Sequence, residues 1–259
     1  MLINVQNLHV DVGKRRLLSA INFSVLAGEH LCITGPNGAG KSTLLRTLNA
    51  MMPLSQGDIF LQQQPFRRYS KKHIARQISY VPQNSGRALP FVVDDFLRMA
   101  RYPHLHWLGS WQQSDQTAIE NALDITDCQP FRHRQMTTLS GGECQKVMIA
   151  AALAQDTTLI LLDEPTSFLD PHHQAAVQQL IKNLHHDHGK TIIEVTHDIN
   201  HAGQHADRVM ALKDGQLIWL GLAERFLDNQ LLNTLYQQDF IFVQHPQTGR
   251  NVALMADTL

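Results

Sequence analysis

The chain has 259 residues, and its 22 lysines and arginines against 23 aspartates and glutamates leave a formal net charge of −1. This balance lacks the basic footprint that nucleic-acid binding usually needs. No apolar run reaches the roughly 18–20 residues of a transmembrane helix, and the first residues lack the basic start and long apolar core of a signal peptide. Three cysteines without close pairing indicate reduced thiols in a cytosolic protein, so we expect any membrane role to come through a partner.

The amino-terminal third of the chain predicts strands around a glycine-rich loop. Residues 2–34 alternate apolar and polar positions and turn at 13–14 and 27–28, which indicates antiparallel strands that end at 31–34. Beyond the loop, residues 42–51 place leucines at helical spacing. Residues 59–61 and 78–81 predict two more strands.

The glycine-rich loop fits the P-loop pattern and predicts that a nucleotide is bound. Its glycines let successive backbone N–H groups converge on phosphate oxygens, and the following helix adds its N-terminal dipole. We expect Lys41 to reach the β- and γ-phosphates and Ser42 to place its hydroxyl on Mg²⁺. The loop consists of Gly35, Pro36, Asn37, Gly38, Ala39, Gly40, Lys41, Ser42 and Thr43.

The middle of the chain changes its pattern twice. Residues 91–156 have a helical pattern, whereas 159–162 and 192–196 are short apolar runs typical of buried parallel strands, with a helix predicted at 174–186 between them. The predicted fold class is therefore α/β, with an antiparallel β subdomain and an inserted α-helical subdomain. We assign 1–90 and 157–259 to the nucleotide-binding core with its β subdomain and carboxyl-terminal extension, and 91–156 to the helical subdomain.

Two hairpins are predicted near the carboxyl terminus. The runs 209–212 and 216–219 flank Lys213-Asp214-Gly215, and an Asp-Gly pair between apolar runs is a strong hairpin signal. A short helical stretch follows, and the runs 240–243 and 252–255 then indicate a second hairpin.

Asp163 and Glu164 follow four apolar residues, so two carboxylates lie at the tip of a buried strand. Burying an acid pair is costly unless a cation compensates it. Mg²⁺ would do so: we expect Asp163 to hold the metal, directly or through water, and Glu164 to polarise the attacking water. A solvated strand end is the alternative interpretation.

Two more polar residues come after predicted strands. Gln83 follows 78–82 and can contact both Mg²⁺ and the attacking water through its neutral amide. His197 closes the run 192–196 and can hydrogen-bond a γ-phosphate while it orients the water. A single glutamine or histidine is usually structural, but these positions favour catalytic roles for both.

Ser140, Gly141 and Gly142 form a second nucleotide-binding element, with a hydroxyl and a flexible backbone at the start of a predicted helix. One chain already has a complete P-loop, so a second phosphate-binding element requires a second nucleotide. A head-to-tail dimer satisfies this requirement. Each Ser140 would then contact the ATP held by the other subunit through an isologous two-fold interface.

Taken in order, these motifs resemble the ATPases of ABC transporters over nearly the whole chain. The elements are the P-loop, Gln83, the signature 139–143, Asp163-Glu164, His197 and a D-loop at 167–170, which adds Asp170 to the nucleotide-binding residues. The resemblance implies an ABC-type P-loop NTPase that hydrolyses ATP with Mg²⁺. A soluble ABC ATPase that acts on nucleic acid or ribosomes is the alternative, although such cassettes usually bring a coiled coil or a second cassette in the same chain.

More narrowly, the chain resembles the ATPase subunits of metal-chelate importers, which serve ferric siderophores, haem and cobalamin. The segments that carry this resemblance are 100–109, 196–200, 247–250 and 252–254. It implies a homodimer with two membrane permease subunits and, indirectly, a periplasmic or extracellular substrate-binding protein, without nucleic acid. It also implies a peripheral position at the cytoplasmic face of the inner (plasma) membrane.

The chain departs from this family at two positions. Relatives usually stack adenine on an aromatic residue where this chain has Val12, so we expect weak base recognition unless Arg15 or Arg16 covers the base. Relatives often have a basic residue where this chain has Cys144, directly after the signature.

Two other features allow more than one interpretation. The 15 histidines include His172-His173 and a group at 185–188, which we interpret as surface polar residues rather than a metal site. Trp107 and Trp111 either anchor a partner helix or complete the core of the insert.

Overall fold

The computed structural model describes residues 1–83, 89–105, 111–246 and 249–256. The chain forms two compact units, the first made of Met1–Phe66 with Ile192–Leu259 and the second of Arg67–Thr191. These units differ from the predicted division at 90/91 and 156/157, which marks where the helical pattern of the sequence begins and ends. The predicted division into subdomains therefore stays a prediction.

The first half of unit 1 is an antiparallel sheet and a short helix. Its elements are β1 (Ile3–Val12), β2 (Arg15–Val25), β3 (His30–Thr34), α1 (Lys41–Leu48), β4 (Gln56–Leu61) and β5 (Gln64–Pro65). Four of these strands form the sheet in the order β2, β1, β4, β5. The tight β1–β2 turn places Gly13 at a φ of 60°, which glycine adopts without steric cost.

Unit 2 contains a parallel pair of strands and most of the helices. Its elements are α2 (Lys71–Ala75), β6 (Ile78–Val81), α3 (Val93–Ala100), α4 (Gln113–Ile125), α5 (Gly141–Ala154), β7 (Leu159–Asp163) and α6 (Pro171–His186). Strands β6 and β7 pair in parallel, with Val81 opposite Leu162.

A buried ion pair connects three helices of unit 2, α3, α4 and α5. The guanidinium of Arg101 lies 2.9 Å from the Asp115 carboxylate, and it also donates to the backbone oxygen of Ala154 at 2.7 Å. These contacts join the end of α3 to the first turn of α4 and the last residue of α5. Between Val93 and Ala154 every regular element in the described residues is helical, as the sequence predicts.

The second half of unit 1 completes a second sheet. Its elements are β8 (Thr191–Val195), α7 (Ile199–His205), β9 (Arg208–Lys213), β10 (Gln216–Leu222), α8 (Asn229–Tyr236), β11 (Phe240–Gln244) and β12 (Asn251–Met255). Within unit 1 the strand order is β10, β9, β3, β8. The two predicted hairpins, β9–β10 and β11–β12, are confirmed.

One sequence-based expectation about the fold was wrong. Strand β3 does not continue the antiparallel strands before it but pairs in parallel with β8 and β9. Every residue of β3 is buried, which is typical of a strand inside a parallel sheet and differs from the alternating pattern of β1 and β2. Among the described residues, no helix is both long and apolar enough to cross a membrane.

Candidate nucleotide-binding and catalytic site

The P-loop connects the buried end of β3 to α1, and its glycines are required by the backbone. Gly35 has a φ of 139°, and a Cβ built on it would lie 1.9 Å from the backbone oxygen of Leu212 in β9. Gly40 has a φ of 97°, and a Cβ there would lie 2.6 Å from Leu18 Cδ2. Gly35 therefore excludes any side chain, because the backbone of β9 would have to move, whereas a side chain at Gly40 would be strained mainly by its positive φ and would displace the Leu18 side chain.

The start of α1 is suited to a phosphate. Its N-cap, Gly40, offers no side chain to the first-turn N–H groups, and the first turn contains no acidic residue. The Lys41 ammonium is held over the loop, where it donates to the backbone oxygens of Gly35 at 2.8 Å and Pro36 at 3.0 Å. A helix N-terminus with a lysine beside it is the arrangement that binds phosphate groups, so the residues present fit the predicted nucleotide.

His197 follows the strand next to the one that carries the P-loop. Strands β3 and β8 are parallel neighbours with Ile33 opposite Val195, and the Thr196 N–H donates to the Ile33 oxygen at 3.1 Å. His197 is exposed, and the next residue, Asp198, caps α7 by accepting from the His201 N–H at 2.8 Å. Unit 1 thus brings the P-loop and His197 to the same edge of one sheet.

Unit 2 brings the other predicted catalytic residues together. Gln83 follows β6 and Glu164 follows β7, and these strands are parallel neighbours. The Gln83 amide donates to Glu164 Oε2 at 2.6 Å. Asp163 is almost fully buried at the end of β7, where its carboxylate accepts from the Tyr80 hydroxyl at 3.0 Å. Gln83, Asp163 and Glu164 thus lie together at the ends of two neighbouring strands, and their catalytic roles stay predictions.

Sequence reasoning missed two partners of these acids. Ser167 donates from its hydroxyl to the same Glu164 oxygen at 2.9 Å, and Tyr80 holds Asp163. Glu164 itself has a φ of 51°, an uncommon conformation for a glutamate. The only sequence signals were the short spacing between Glu164 and Ser167 and the position of Tyr80 in β6, and neither indicates a contact by itself.

The signature forms the start of α5 through a capping box. Ser140 Oγ accepts from the Glu143 N–H at 3.2 Å, and the Glu143 carboxylate accepts from the Ser140 N–H at 2.7 Å. The Ser140 backbone hydrogen bond, followed by the nearby Arg134 charge, lowers the pKa of Glu143 below its usual value. Because a hydroxyl that accepts one bond still has its proton to donate, capping leaves Ser140 able to contact a phosphate oxygen.

Asp170 caps the next helix of unit 2 and holds a histidine against the signature. Its carboxylate accepts from the His173 N–H at 3.0 Å and lies 2.6 Å from His173 Nδ1. A Cβ built on Gly142 would lie 1.9 Å from Cδ2 of that histidine ring. Gly142 is therefore required because the His173 ring occupies the space of a side chain. The sequence did not indicate this contact.

The remaining predicted residues are placed as follows. Val12 lies half-exposed opposite Arg15 in the β1–β2 hairpin, and Arg16 is paired with Asp11 at 2.9 Å. Cys144 is fully buried. Outside the described residues lie Trp107 and the parts of the metal-chelate segments at 106–109 and 247–248.

Trp111 and two groups of histidines lie in unit 2. Trp111 packs under the Arg98 guanidinium, 4.8 Å from its ring centroid, so it contacts the insert's own helix α3. In the part of the chain that the structure describes, the histidines at 185–188 form no group that could hold a metal ion, but His185 is buried and does not lie at the surface as predicted. His172 and His173 lie near Asp170 in a group whose ligand atoms are close enough to hold a metal ion, so the interpretation of that pair stays a prediction.

Comparison with known proteins agrees with this geometry. Residues 18–167 match the family model for ABC transporters. The chain belongs to the ABC transporter family. It is 37% identical to the petrobactin import ATP-binding protein FpuC of Bacillus anthracis over 91% of this chain and 86% of that protein. It is 32% identical to the ferric enterobactin transport ATP-binding protein FepC of Escherichia coli over 94% of this chain and 90% of that protein.

Solved structures extend the similarity to the whole fold. A metal-chelate type ABC transporter in an inward-facing conformation matches with a TM-score of 0.86 and 27% identity, over 99% of this chain and 98% of that chain. The dimeric cassette MJ0796 bound to ADP and phosphate matches with a TM-score of 0.71 and 26% identity, over 86% and 99%. The chain is thus an ATP-binding subunit that hydrolyses ATP to drive transport. Cassettes of this family dimerise and act with a membrane permease.

Proposed function

We propose that this chain powers the import of a metal chelate, most specifically a ferric siderophore, through a separate membrane permease. The observation that carries the proposal is the 37% identity to a petrobactin import subunit over 91% of the chain. The fold similarity to a metal-chelate type transporter over 99% of the chain supports it further. An action on nucleic acid or ribosomes has no comparable support, and the net charge of −1 counts against it.

In unit 1, we assign phosphate binding to the P-loop, Gly35 to Thr43. The loop's N–H groups and the start of α1 would bind the phosphate oxygens, and Lys41 would move from the loop carbonyls to the β- and γ-phosphates. The Ser42 hydroxyl would coordinate Mg²⁺. His197 would hydrogen-bond the γ-phosphate and orient the attacking water.

In unit 2, we assign the general base to Glu164. Its carboxylate would accept a proton from the attacking water, while Gln83 and Ser167 hold it in place through their hydrogen bonds to Oε2. Asp163 and Gln83 would coordinate Mg²⁺, which supplies charge neutralisation on the phosphates when it is bound. The Tyr80 hydrogen bond would fix the orientation of Asp163.

We assign trans contacts to the signature and the D-loop. Ser140, Gly141 and Gly142 of one subunit would bind the ATP held by the P-loop of a second copy, and Asp170 would lie at the same interface. The dimeric MJ0796 cassette, at 26% identity, supports a dimer of this kind. The His173 ring against Gly142 keeps the signature backbone in one position for that contact.

The partners follow from the same proposal. We assign a homodimer of this chain, two permease subunits and an indirect link to a substrate-binding protein outside the membrane. The homodimer would associate peripherally with the cytoplasmic face of the inner (plasma) membrane. Chelate specificity would lie in the permease and the binding protein, because the ATPase does not contact the cargo.

Reconstitution tests the transport function. The chain would be co-expressed with a metal-chelate permease, and ATP hydrolysis and uptake of ⁵⁵Fe-labelled siderophores of hydroxamate and catecholate type would be measured in proteoliposomes. We expect ATP-dependent uptake of at least one chelate, no uptake with Glu164→Gln, and no stimulation of ATPase activity by DNA or ribosomes. Stimulation by DNA or ribosomes without any by permease would contradict the proposal.

A mixing experiment tests the trans contact separately. Ser140→Arg alone should lose ATPase activity although its own P-loop is intact, and Lys41→Ala alone should lose it as well. A mixture of the two should form ATP-dependent heterodimers with one intact composite site. Full activity of Ser140→Arg alone would show that the signature does not contact a partner's nucleotide.

A further inference from the structure

A group of buried polar side chains lies in unit 1. It belongs to strands β3 and β8, a few residues before the ends that lead to the P-loop and His197. Strands β3 and β8 are parallel neighbours, and Cys32 lies opposite Glu194 in their register. His30 lies two residues before Cys32 and therefore on the same face of β3. The side chains of all three residues are at most 2% exposed.

The ligand atoms of these residues lie within about 0.3 Å of the spacing in a tetrahedral zinc site. His30 Nε2 lies 3.0 Å from Glu194 Oε2 and 3.6 Å from Cys32 Sγ, and the thiol lies 3.8 Å from the same carboxylate oxygen. Zinc bonds of about 2.0–2.3 Å at tetrahedral angles place neighbouring N, O and S ligands about 3.3–3.6 Å apart. Imidazole, thiolate and carboxylate are also the side-chain groups that zinc uses in proteins.

The two oxygens of the Glu194 carboxylate differ in the number of hydrogen-bond partners that they have. Oε2 is contacted by His30, by Cys32 and by His201 Nε2 at 3.3 Å. Oε1 is fully buried and has no hydrogen-bond partner among the described residues. An unpaired oxygen of a buried carboxylate is costly, so the site offers an electron pair that a cation would use.

Hydrogen bonds alone account for only part of this group. Burial raises the pKa of Glu194, but hydrogen bonds from His201 and His30 outweigh burial and lower it to about 2. Burial and the Glu194 charge raise the pKa of the Cys32 thiol well above its usual value. A network without metal thus explains the ionised carboxylate, and packing against Ala202 and Val209 explains the buried thiol, but neither gives Oε1 a partner.

We propose that His30, Cys32 and Glu194 form a structural binding site for a zinc-class divalent cation. Binding would replace the Cys32 S–H bond by a sulfur–metal bond and release that proton to solvent. His30 would give up the Nε2 proton that it donates to Glu194, change to the tautomer protonated on Nδ1 and bind the cation through the Nε2 lone pair, and Glu194 would be able to use both carboxylate oxygens. His201 would be a positioning residue that holds Glu194 through its hydrogen bond. The cation would join β3 to β8 and so fix the strand that leads to Gly35 relative to the strand that leads to His197.

Cobalt substitution tests this site without relying on ATP hydrolysis. The reduced, chelator-treated protein would be titrated with Co²⁺ in the absence of nucleotide, and the thiolate-to-cobalt charge-transfer absorption would be recorded. We expect one Co²⁺ per chain with a thiolate band in the wild type. Cys32→Ser should lose the band and bind zinc at least about a hundredfold more weakly, since loss of an outer partner alone costs 10–100-fold.

Matched variants separate this site from other metal-binding groups. Cys128 is a second fully buried thiol, in unit 2, so Cys128→Ser should keep the band. The exposed group of Asp170, His172 and His173 contains no sulfur and cannot produce it. His201→Gln should keep the band but weaken zinc binding about 10–100-fold, which distinguishes a positioning residue from a ligand.

Thermal unfolding decides the question even if Cys32→Ser folds poorly. Zinc at about a hundredfold excess over its Kd should raise the Tm of the wild type by roughly 5–10 °C, and Mg²⁺ should not. Cys32→Ala, which leaves a small apolar side chain in the core, should fold without this response. A wild type with neither a thiolate band nor a zinc-dependent Tm would overturn the proposal, as would a band that persists in Cys32→Ser.

Discussion

The P-loop in unit 1 and the strand tip in unit 2 are built by different means. The P-loop is fixed by its backbone: Gly35 lies against the Leu212 carbonyl, Gly40 caps α1, and Lys41 donates to loop oxygens. The strand tip is fixed by side chains, since Gln83 and Ser167 both donate to Glu164. Substitutions in the P-loop should therefore destabilise the protein through steric clashes. Substitutions at the strand tip should each lower activity by the contribution of one hydrogen bond or one charge.

The largest effect is expected at Gly35, where the backbone leaves no room. Gly35→Ala would combine a left-handed backbone conformation with a Cβ 1.9 Å from the Leu212 oxygen. We expect a loss of about 3 kcal/mol or more in the free energy of unfolding and no detectable ATP binding. Chemical denaturation and nucleotide titration would measure both.

Gly13→Ala is the matched control for that substitution. Gly13 has a φ of 60°, but a Cβ there has no atom within 4 Å. Its cost should be only about 1 kcal/mol, with ATP binding unchanged. Equal effects of the two substitutions would show that backbone conformation, and not the Leu212 contact, decides the requirement for glycine.

The next largest effect is expected at Glu164. Glu164→Gln should keep ATP affinity and lower hydrolysis by roughly 10²–10³-fold, because it removes the proposed general base but keeps an oxygen that can accept from Gln83 and Ser167. The variant should also accumulate an ATP-bound dimer on size-exclusion chromatography. The exposed Glu224→Gln serves as the control. Near-normal turnover of Glu164→Gln would show that another residue is the general base, and His197 would be the next residue to test.

A smaller effect is expected at Ser167. Its hydroxyl is one of two groups that donate a hydrogen bond to Glu164, the proposed general base. Ser167→Ala should lower kcat at least about tenfold with little change in KM for ATP, because a hydrogen bond to a charged group contributes roughly 1.5–3 kcal/mol and a tenfold change in rate corresponds to about 1.4 kcal/mol. Ser167→Thr retains the hydroxyl and should restore most of the activity. An alanine variant with full turnover would show that Gln83 alone positions Glu164.

The smallest effect is expected at Val12, an aliphatic side chain that cannot stack on the adenine. Hydrolysis of GTP or CTP should be within about tenfold of ATP, which corresponds to 1.4 kcal/mol. Val12→Tyr should tighten ATP binding by about 1 kcal/mol, roughly fivefold, and change turnover less, because stacking acts on ground and transition states alike. Val12→Leu, which cannot stack, is the control for size.

Strong discrimination for ATP in the wild type would mean that another group covers the base, and Arg15 and Arg16 would be the first residues to test. Arg16 is already paired with Asp11 at 2.9 Å, whereas Arg15 lies directly opposite Val12. Arg15→Ala should then reduce selectivity more than Arg16→Ala does. An equal loss in the two variants would place the base contact elsewhere.

Much of the fold was predictable because the sequence pattern is local. The run before Lys41, the apolar residues before Asp163 and the Asp214-Gly215 turn each specify their own strand or loop, and the structure places them as predicted. The pairing of β3 was not predictable from its neighbours along the chain. Its partners, β8 and β9, lie more than 150 residues away, and only the sheet brings them together.

By itself, the sequence determined the family-defining motifs and the groups that we propose for the chemistry: the P-loop, Ser140, the Asp163-Glu164 pair, Gln83 and His197. Those motifs depend on residue type and short spacing, which a linear chain records directly. Tertiary structure alone decided what holds these groups, such as the Ser167 hydroxyl on Glu164 and the His173 ring against Gly142. It also decided that Cys32 lies opposite Glu194, since contacts across parallel strands depend on register, and register is set by the packing of the whole sheet.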